Sequence, residues 1–235
     1  MKIAWLGQLS LFIETEETSI MVDPYLTDYL RESVGEQFTR SVPVSEEYLK
    51  KAPDMILLSH EHGDHTDIPS LESLMGCGKK VEVLAGANAW KKVREAIGGN
   101  HNYIRLTPGT EWTFRDVNVQ AVPAFHSDDT AIGFLIHAEG KTIYVTGDTL
   151  YNKALVEAVN EPVNIMFAVM NGLGNNMNYV DAVRLAKAVN AQICAPMHWG
   201  MFEPFSADPV KFKEEACKQG VSVWMPGPYE VVKIN

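Results

Sequence analysis

The sequence predicts a layered α/β fold, and three features of the chain point to it. Strand-like and helix-like segments alternate between residues 55 and 97, a succession typical of α/β domains. Met55–Leu58 is an unbroken apolar run, as expected of a strand that is covered on both faces. Two further segments, 20–23 and 143–148, are loosely alike, as two β-rich halves packed face to face would be. Because no linker or exact repeat interrupts the chain, we expect one domain over residues 1–235.

The first part of the chain predicts antiparallel strands. Short apolar stretches at 2–6, Ser10–Glu14 and Ser19–Val22 are separated by turn-forming residues. Pro24 ends the third stretch, since proline cannot donate a hydrogen bond to a continuing ladder. Residues 25–44 show no clear periodicity and are predicted to form a long loop, either a flap over a functional site or a surface excursion.

The remainder of the chain divides into helices and strands by its apolar pattern. Helices are predicted where apolar residues recur at helical spacing or a capping residue precedes a charged turn: 45–51, 68–75, 88–97, 155–159, 179–189 and 209–219. Strands are predicted for the short apolar or alternating runs: 81–84, 103–106, 111–114, 117–122, 131–136, 142–145, 165–169, 221–225 and 229–234. Hairpin turns are expected at 115–116 and 138–140.

The composition excludes several classes of function. The chain has 20 basic and 30 acidic residues and a formal net charge of -10 at pH 7, so it lacks the basic footprint of a nucleic-acid-binding protein. Cys77, Cys194 and Cys217 stand at wide spacings that argue against a disulfide framework, and they are interpreted as buried apolar residues. No apolar run approaches the roughly 18 residues of a membrane span, and the first residues lack the apolar segment of a signal peptide. We therefore expect a soluble, cytoplasmic protein.

The residues with the clearest chemical signal directly follow the Met55–Leu58 run. Positions 59–67 read Ser-His-Glu-His-Gly-Asp-His-Thr-Asp, and their metal-competent side chains are His60, His62, Asp64 and His65. These side chains cannot share one face of a strand or an ideal helix, but a turn loosened by Gly63 can direct them at a common point. Neutral imidazole and carboxylate both bind zinc, manganese and iron, so the stretch predicts a metal site.

The pattern His60-x-His62-x-Asp64-His65 resembles the signature of the metallo-β-lactamase superfamily. Further ligands of that family come from later strand ends, and matching residues occur here in the expected order after apolar runs: His126, Asp148 and His198. The resemblance covers the chain from its first strand to roughly residue 210. It implies the fold of that family, a four-layer αββα sandwich with the site at one edge of its two sheets.

Carried over residue by residue, the resemblance implies a dinuclear metal site. The implied ligands are His60, His62 and His126 for one ion, Asp64, His65 and His198 for the second, and Asp148 as the bridge. Two divalent ions, zinc or manganese with iron ranked below them, would share a hydroxide that acts as the nucleophile. Asp64 and Asp148 are then the catalytic carboxylates. Since no serine nucleophile is needed, Ser59 and Ser127 are given structural roles.

Other polar residues are given supporting or neutral roles. Asp23, at a strand end, is expected either to orient a ligand imidazole or to be an Asp-Pro turn residue. Asp67 is expected to cap the helix that follows it. His101 and His137 lie beside turns and are interpreted as surface residues. The Gly/Asn stretch 171–176 is either a source of amide donors for a substrate or a simple loop.

Within the superfamily, the chain resembles the L-ascorbate-6-phosphate lactonase-like hydrolases. The matching segments are Trp5-Leu6-Gly7-Gln8, Val22-Asp23-Pro24-Tyr25-Leu26 and Pro196-Met197-His198-Trp199-Gly200-Met201-Phe202. The resemblance implies hydrolysis of a small anionic or neutral ester, lactone or phosphoester. From the acidic composition and the lack of a long apolar run we expect neither nucleic acid nor membrane as partner, and homo-oligomer formation is left open. The alternatives within the superfamily are a di-iron oxidoreductase and a phosphodiesterase or nuclease, the last of which the acidic composition disfavours.

Overall fold

Thirteen strands form two mixed sheets in the computed structural model, which describes residues 1–234. The strands are β1 Lys2–Gly7, β2 Ser10–Glu14, β3 Ser19–Val22, β4 Met55–Leu58, β5 Glu82–Ala85, β6 Asn102–Arg105, β7 Glu111–Phe114, β8 Val117–Pro123, β9 Ile132–Ala138, β10 Lys141–Val145, β11 Ile165–Val169, β12 Ile193–Met197 and β13 Val231–Lys233. The α-helices are α1 Tyr29–Ser33, α2 Glu46–Leu49, α3 Ile68–Met75, α4 Ala87–Ala96, α5 Lys153–Ala158, α6 Tyr179–Ala188 and α7 Pro209–Gln219. Two 3₁₀ helices span Glu36–Phe38 and Glu203–Phe205.

The strand order places several carboxyl ends at the same edge of each sheet. The first sheet has the order β13-β1-β2-β3-β4-β5-β6, and the second has the order β12-β11-β10-β9-β8-β7. In the first sheet β1, β3 and β4 run in one direction, because β1 and β3 are each antiparallel to β2 while β3 and β4 are parallel. In the second sheet β8, β10, β11 and β12 run in one direction. The reason is that β8 and β10 are each antiparallel to β9, while β11 is parallel to both β10 and β12. Loops that follow these strands can therefore meet.

The apolar run of β4 is buried on both faces, as its pattern predicts. Met55 and Leu57 belong to the core between the two sheets, and Ile56 and Leu58 belong to the core under the outer helices of the first sheet. Successive strand residues point to opposite faces, so only an unbroken apolar run can serve both cores. A strand with polar alternation would leave one of these cores incomplete.

Helices cover the outer face of each sheet. Leu71 of α3 and Val93 of α4 pack into the apolar cluster on the first sheet. Val183 of α6 and Phe212 of α7 pack into the corresponding cluster on the second sheet, together with Leu155 of α5. The order of layers is therefore helix, sheet, sheet, helix, which agrees with the predicted αββα sandwich.

Residues 25–44, predicted to lack regular structure, contain α1 and a 3₁₀ helix. Arg40 holds this segment together, because its Nη1 donates to the carbonyl oxygens of Tyr25 and Thr27 at 2.8 and 3.0 Å. Its Nε donates to the carbonyl oxygen of Val42 at 3.0 Å. The segment is also joined to the chain after β12, since the Ser41 amide donates to the Met201 carbonyl at 2.8 Å. Short elements of this kind have no apolar period of their own.

The strand predicted at 221–225 is wrong. Within this stretch Val223 forms an isolated bridge with Cys194, and the residues that follow do not extend the ladder. Tyr229 has a φ of 63°, which interrupts extended backbone, so the last strand begins only at Val231. The alternating apolar residues at 221–225 serve packing against the second sheet instead of strand pairing.

All three cysteines are free thiols, as the spacing indicates, but their predicted burial is correct only for Cys194. Cys77 lies after α3 and Cys217 lies on α7, and both are exposed.

Among the described residues no helix has the length and apolar character needed to cross a bilayer.

Candidate active site

The predicted ligands converge at the edge where the carboxyl ends of both sheets meet. The first four, at positions 60–65, follow β4, and the others follow strands of the second sheet: His126 after β8, Asp148 after β10 and His198 after β12. Three groups result, of which two face each other across Asp148: the first cluster, His60, His62 and His126, and the second cluster, Asp64, His65 and His198; the third joins Asp23 to His60 and His65. Within each cluster the ligand atoms all lie within 4.8 Å of one another. The structure thus brings together every residue of the predicted ligand set.

The first cluster consists of three imidazoles whose nitrogens face inward. His60 Nε2 lies 3.0 Å from His62 Nδ1, and His126 Nε2 lies 3.2 Å from the same atom. Burial lowers the pKa of His60 well below its usual value, with the neighbouring His65 as the next cause. Burial also lowers the pKa of His126. Both rings are therefore neutral at pH 7, the form of imidazole that binds a metal.

The second cluster combines a carboxylate with two imidazoles. His65 Nε2 lies 3.1 Å from His198 Nε2 and 3.6 Å from Asp64 Oδ2. Burial alone would lower the pKa of His65, but the carboxylates of Asp148, Asp64 and Asp23 outweigh it and raise that pKa well above its usual value. This field favours positive charge at His65 Nε2, whether that charge is a proton or a metal ion.

Asp148 lies between the two clusters. Its Oδ1 is 2.9 Å from His198 Nε2 and 3.5 Å from His65 Nε2, on the side of the second cluster. Its Oδ2 is 3.8 Å from His126 Nε2, on the side of the first. Burial would raise the pKa of Asp148, but His198 and His65 hold it well below its usual range, so the side chain is a carboxylate. One carboxylate therefore presents an oxygen to each cluster.

Two residues fix the ring orientation of His60 and His65. The Ser59 hydroxyl donates its single proton to Asp23 Oδ2, so at 2.9 Å from His60 Nδ1 it accepts the N–H of that ring. Asp23 Oδ2 also accepts from His65 Nδ1 at 2.8 Å. With both Nδ1 atoms occupied, Nε2 of each ring points to its cluster. Of the two roles considered for Asp23, these hydrogen bonds favour the orienting one, whereas Ser59, given only a structural role from sequence, supports the site directly.

The amides of Gln8 and Asn176 hold the two site carboxylates, and sequence reasoning missed both side chains. Gln8 Nε2 donates to Asp64 Oδ2 at 2.7 Å and lies 3.2 Å from His198 Nδ1. Asn176 Nδ2 donates to Asp148 Oδ2 at 2.8 Å. Asn176 belongs to the Gly/Asn stretch 171–176, for which the sequence left open a source of amide donors for a substrate or a simple loop. An isolated amide belongs to no ligand motif, so only the position of Gln8 directly after β1 could have drawn attention to it.

The backbone is strained where the site is built. Gln8, Asp23 and His198 all have positive φ values, 51°, 41° and 60°. Such conformations cost about 1–3 kcal/mol each in residues other than glycine, and the surrounding structure must impose them. Gly147, which precedes Asp148, has a φ of 63°, and an added Cβ would lie 2.7 Å from the Ile132 carbonyl oxygen. The corner that presents Asp148 therefore requires glycine.

Two sequence interpretations near the motif need correction. Gly63 does not use its left-handed freedom; a Cβ there would lie 2.7 Å from Leu30 Cδ2, the end of a flexible side chain that would have to move aside. Asp67 occupies the cap position of α3 but makes no capping bond, since its carboxylate accepts from the hydroxyls of Thr27 and Ser70. His101 and His137 are absent from both clusters, as expected of residues outside the site.

The residues present fit bound metal ions. Imidazole nitrogens approach one another at 3.0 to 3.2 Å within each cluster, and a cation bound between them would satisfy lone pairs that no protein hydrogen fills. Asp148 Oδ1 is buried and faces the ring nitrogens of the second cluster, at 2.9 Å from His198 Nε2 and 3.5 Å from His65 Nε2. Imidazoles and carboxylates without thiolate suit zinc, manganese or iron. The arrangement is therefore that of a metal centre.

Comparison with known proteins agrees with this geometry. A family model described as a beta-lactamase superfamily domain matches residues 18–199. The UPF0173 metal-dependent hydrolase of Thermoplasma volcanium is 30% identical to this chain over 243 residues, covering 99% of each protein. The UPF0173 metal-dependent hydrolase of Methanopyrus kandleri is 24% identical over 237 residues, covering 95% of this chain and 94% of the relative.

A solved structure gives the same fold. Igni18, described as a novel metallo hydrolase from the hyperthermophilic archaeon Ignicoccus hospitalis, superposes with a TM-score of 0.79 at 23% identity. The superposition covers 98% of this chain and 97% of Igni18. The predicted α/β sandwich is thereby confirmed. The chain belongs to the metallo-β-lactamase superfamily and, within it, to the UPF0173 family of metal-dependent hydrolases.

Proposed function

We propose that the chain is a dinuclear metal-dependent hydrolase that cleaves a small ester, lactone or phosphoester. The observation that carries the proposal is the position of Asp148, which presents Oδ1 to the second cluster and Oδ2 to the first. A carboxylate between two three-residue clusters is the arrangement that a pair of divalent ions requires. The relatives from Methanopyrus kandleri and Thermoplasma volcanium are described as metal-dependent hydrolases, which supports hydrolysis as the reaction class.

When bound, the two ions would supply a shared hydroxide as the nucleophile and would polarise the oxygen of the scissile group. The chain's own residues prepare the site for them. Asp23 holds His65 in the tautomer that leaves Nε2 free, and Ser59 does the same for His60. Asn176 and Gln8 hold the carboxylates of Asp148 and Asp64 by one hydrogen bond each.

The proposed reaction needs no serine nucleophile, and neither serine near the clusters is assigned that role. The Ser59 hydroxyl is buried and engaged between Asp23 and His60. Ser127 borders the cavity, and its hydroxyl lies 3.4 Å from His62 Nε2, a ring already committed to the first cluster. We therefore assign the attack to water and not to the protein.

We expect two divalent metals per chain, because the six outer ligands divide into two sets of three. Elemental analysis of protein purified without chelators should give two equivalents of zinc or manganese. His126→Ala should lose one of them, since it removes a ligand of the first cluster alone. His137→Ala, a change outside both clusters, should retain two.

One equivalent or none in metal-replete wild-type protein would contradict the dinuclear proposal. Two equivalents of iron, with oxygen consumption in place of hydrolysis, would favour the di-iron oxidoreductase alternative.

We further expect hydrolysis of small substrates and not of nucleic acid. The formal net charge of -10 repels a phosphate backbone, and no lysine or arginine borders the cavity over the clusters in the described part of the chain. A panel should include carboxylic esters, γ-lactones, L-ascorbate 6-phosphate for the lactonase-like branch, a phosphodiester and RNA. RNA cleaved faster than every small substrate would count against this choice.

A further inference from the structure

A cavity of about 630 Å³ opens over the two clusters, and its lining residues are of two chemical kinds. Metal-cluster residues form one part of the lining, among them His62, Asp148 and His198. Three phenylalanines, Phe38, Phe202 and Phe205, form another part, which we call the aromatic wall. A substrate whose reacting group lies at the clusters can therefore place an apolar group against this wall.

The aromatic wall is a packed unit built from two segments. Phe38, from the 3₁₀ helix before β4, stacks on Phe205 with ring centroids 5.0 Å apart and meets the edge of Phe202 at 5.4 Å. Phe202 is buried and is supported from behind by Tyr25, at 5.6 Å between centroids. Phe38 and Phe205 are only half-buried. They therefore retain apolar surface that a bound ligand can cover.

Apart from its histidines, the described lining of the same cavity has no basic side chain. No lysine or arginine is among its lining residues in the portion of the chain that the structure describes. Arg40, on the segment that carries Phe38, donates to three backbone carbonyls of that segment and lies 4.9 Å from the centre of the Tyr25 ring. It is committed to holding the segment. A phosphate or carboxylate held away from the metals would thus find no cationic partner.

We propose that the substrate is an uncharged molecule with an apolar or aromatic group that the aromatic wall binds, and that Phe38 and Phe205 determine this preference. This inference rests on the proposed hydrolytic function and narrows its substrate class. Burial of each additional methylene contributes about 0.8 kcal/mol, which corresponds to an increase of up to about four-fold in kcat/KM. A terminal charge placed against the wall loses water without gaining a partner.

The test uses the metal-loaded protein and a matched pair of esters with the same leaving group. 4-Nitrophenyl hexanoate and mono-4-nitrophenyl adipate have acyl chains of equal length, and they differ by a methyl group in place of a carboxylate. We expect kcat/KM for the hexanoate to exceed that for the adipate at least about ten-fold, and to rise from acetate through butyrate to hexanoate. Equal or faster cleavage of the adipate, or no dependence on chain length, would overturn the proposal.

Variants of the wall separate recognition from chemistry. Phe205→Ala and Phe38→Ala should flatten the chain-length dependence, because each should lower kcat/KM for the hexanoate more than for the acetate. Phe205→Lys should reverse the preference between hexanoate and adipate, because it places a cation at the wall. Val210→Ala, on an exposed apolar residue of α7 outside the cavity, is the matched control and should behave as wild type. A Phe205→Ala variant with an unaltered chain-length dependence would contradict the assignment.

Failure of the hydrolytic proposal gives a different result. If the protein with two metals bound cleaves none of the esters, ester hydrolysis is excluded, and the aromatic wall is then tested by binding alone. Saturation-transfer NMR with 3-phenylpropan-1-ol should show contact with the wild type and about ten-fold weaker binding to Phe205→Ala. No binding, or equal binding to both proteins, would count against the wall itself.

Discussion

Asp148→Asn should lower the rate of hydrolysis by at least about 100-fold while leaving the metal-free protein folded. The two oxygens of Asp148 face different clusters, at 2.9 Å from His198 Nε2 and 3.8 Å from His126 Nε2. An asparagine side chain offers one oxygen and no charge, so it can serve one cluster only. The second metal should be lost, and the remaining water should become less acidic.

The fold should tolerate this change because Asp148 contributes little to packing. Its Oδ2 accepts a hydrogen bond from Asn176, which an asparagine oxygen can also accept, and its Oδ1 faces the ring nitrogens of His198 and His65. An asparagine has the same size and also removes the buried repulsion between Asp148 and Asp64. The melting temperature of metal-free protein should therefore stay within a few degrees of wild type.

Metal content, turnover and melting temperature should be measured together on Asp148→Asn and on Asp116→Asn. Asp116 is the matched control: it accepts hydrogen bonds from Thr18 and the Glu17 amide in a hairpin outside the site. That variant should retain both metals and full turnover. Near-normal turnover of Asp148→Asn with two metals bound would show that Asp148 is not the bridge.

Helices and strands with a strong local sequence pattern could be predicted with the same first and last residues that the structure shows. Met55–Leu58 and Ile165–Val169 are unbroken apolar runs, and α7 begins at Pro209 after the capping Asp208 and ends before Gly220. The residues at 221–225 have the same alternation as a strand, but their backbone is hardly paired. An apolar period of two shows which side chains are buried and leaves open whether the backbone finds a partner.

The convergence of the predicted ligands at one site could be anticipated from the sequence, because such residues have few alternative uses. Imidazoles and carboxylates placed directly after buried strands reach the edge of a sheet, whatever the details of the loops. The residues that hold them could not be found this way. Gln8 and Asn176 are single amides from distant parts of the chain, and Phe38 and Phe205 lie in segments without periodicity. Their roles depend on which loops meet, and only the tertiary structure shows that.

Asp23→Asn should weaken metal binding at the second cluster by about 10- to 100-fold. In the wild type, Asp23 Oδ1 accepts the Ser59 amide at 2.7 Å and Oδ2 accepts His65 Nδ1 at 2.8 Å. Asparagine has one oxygen for these two donors. If that oxygen serves Ser59, the amide N–H₂ faces His65 and favours the tautomer with its proton on Nε2, which cannot bind a metal. If it serves His65, a buried backbone amide loses its acceptor at a cost of about 1–3 kcal/mol.

Asp54→Asn is the matched control for this prediction, because Asp54 has an equivalent role at the other end of the same pair of strands. Its carboxylate accepts from the amide and hydroxyl of Ser19 at 3.0 and 2.8 Å and pairs with Lys79 and Arg115. Asp54→Asn should lower the melting temperature without changing metal affinity, since no ligand depends on it. Asp23→Asn should lower metal affinity in chelator competition and alter the ring ¹⁵N shifts of His65 in the zinc-loaded protein. If the variant kept the wild-type His65 shifts and zinc affinity, Asp23 would only join the ends of β3 and β4 and would not orient the ligand.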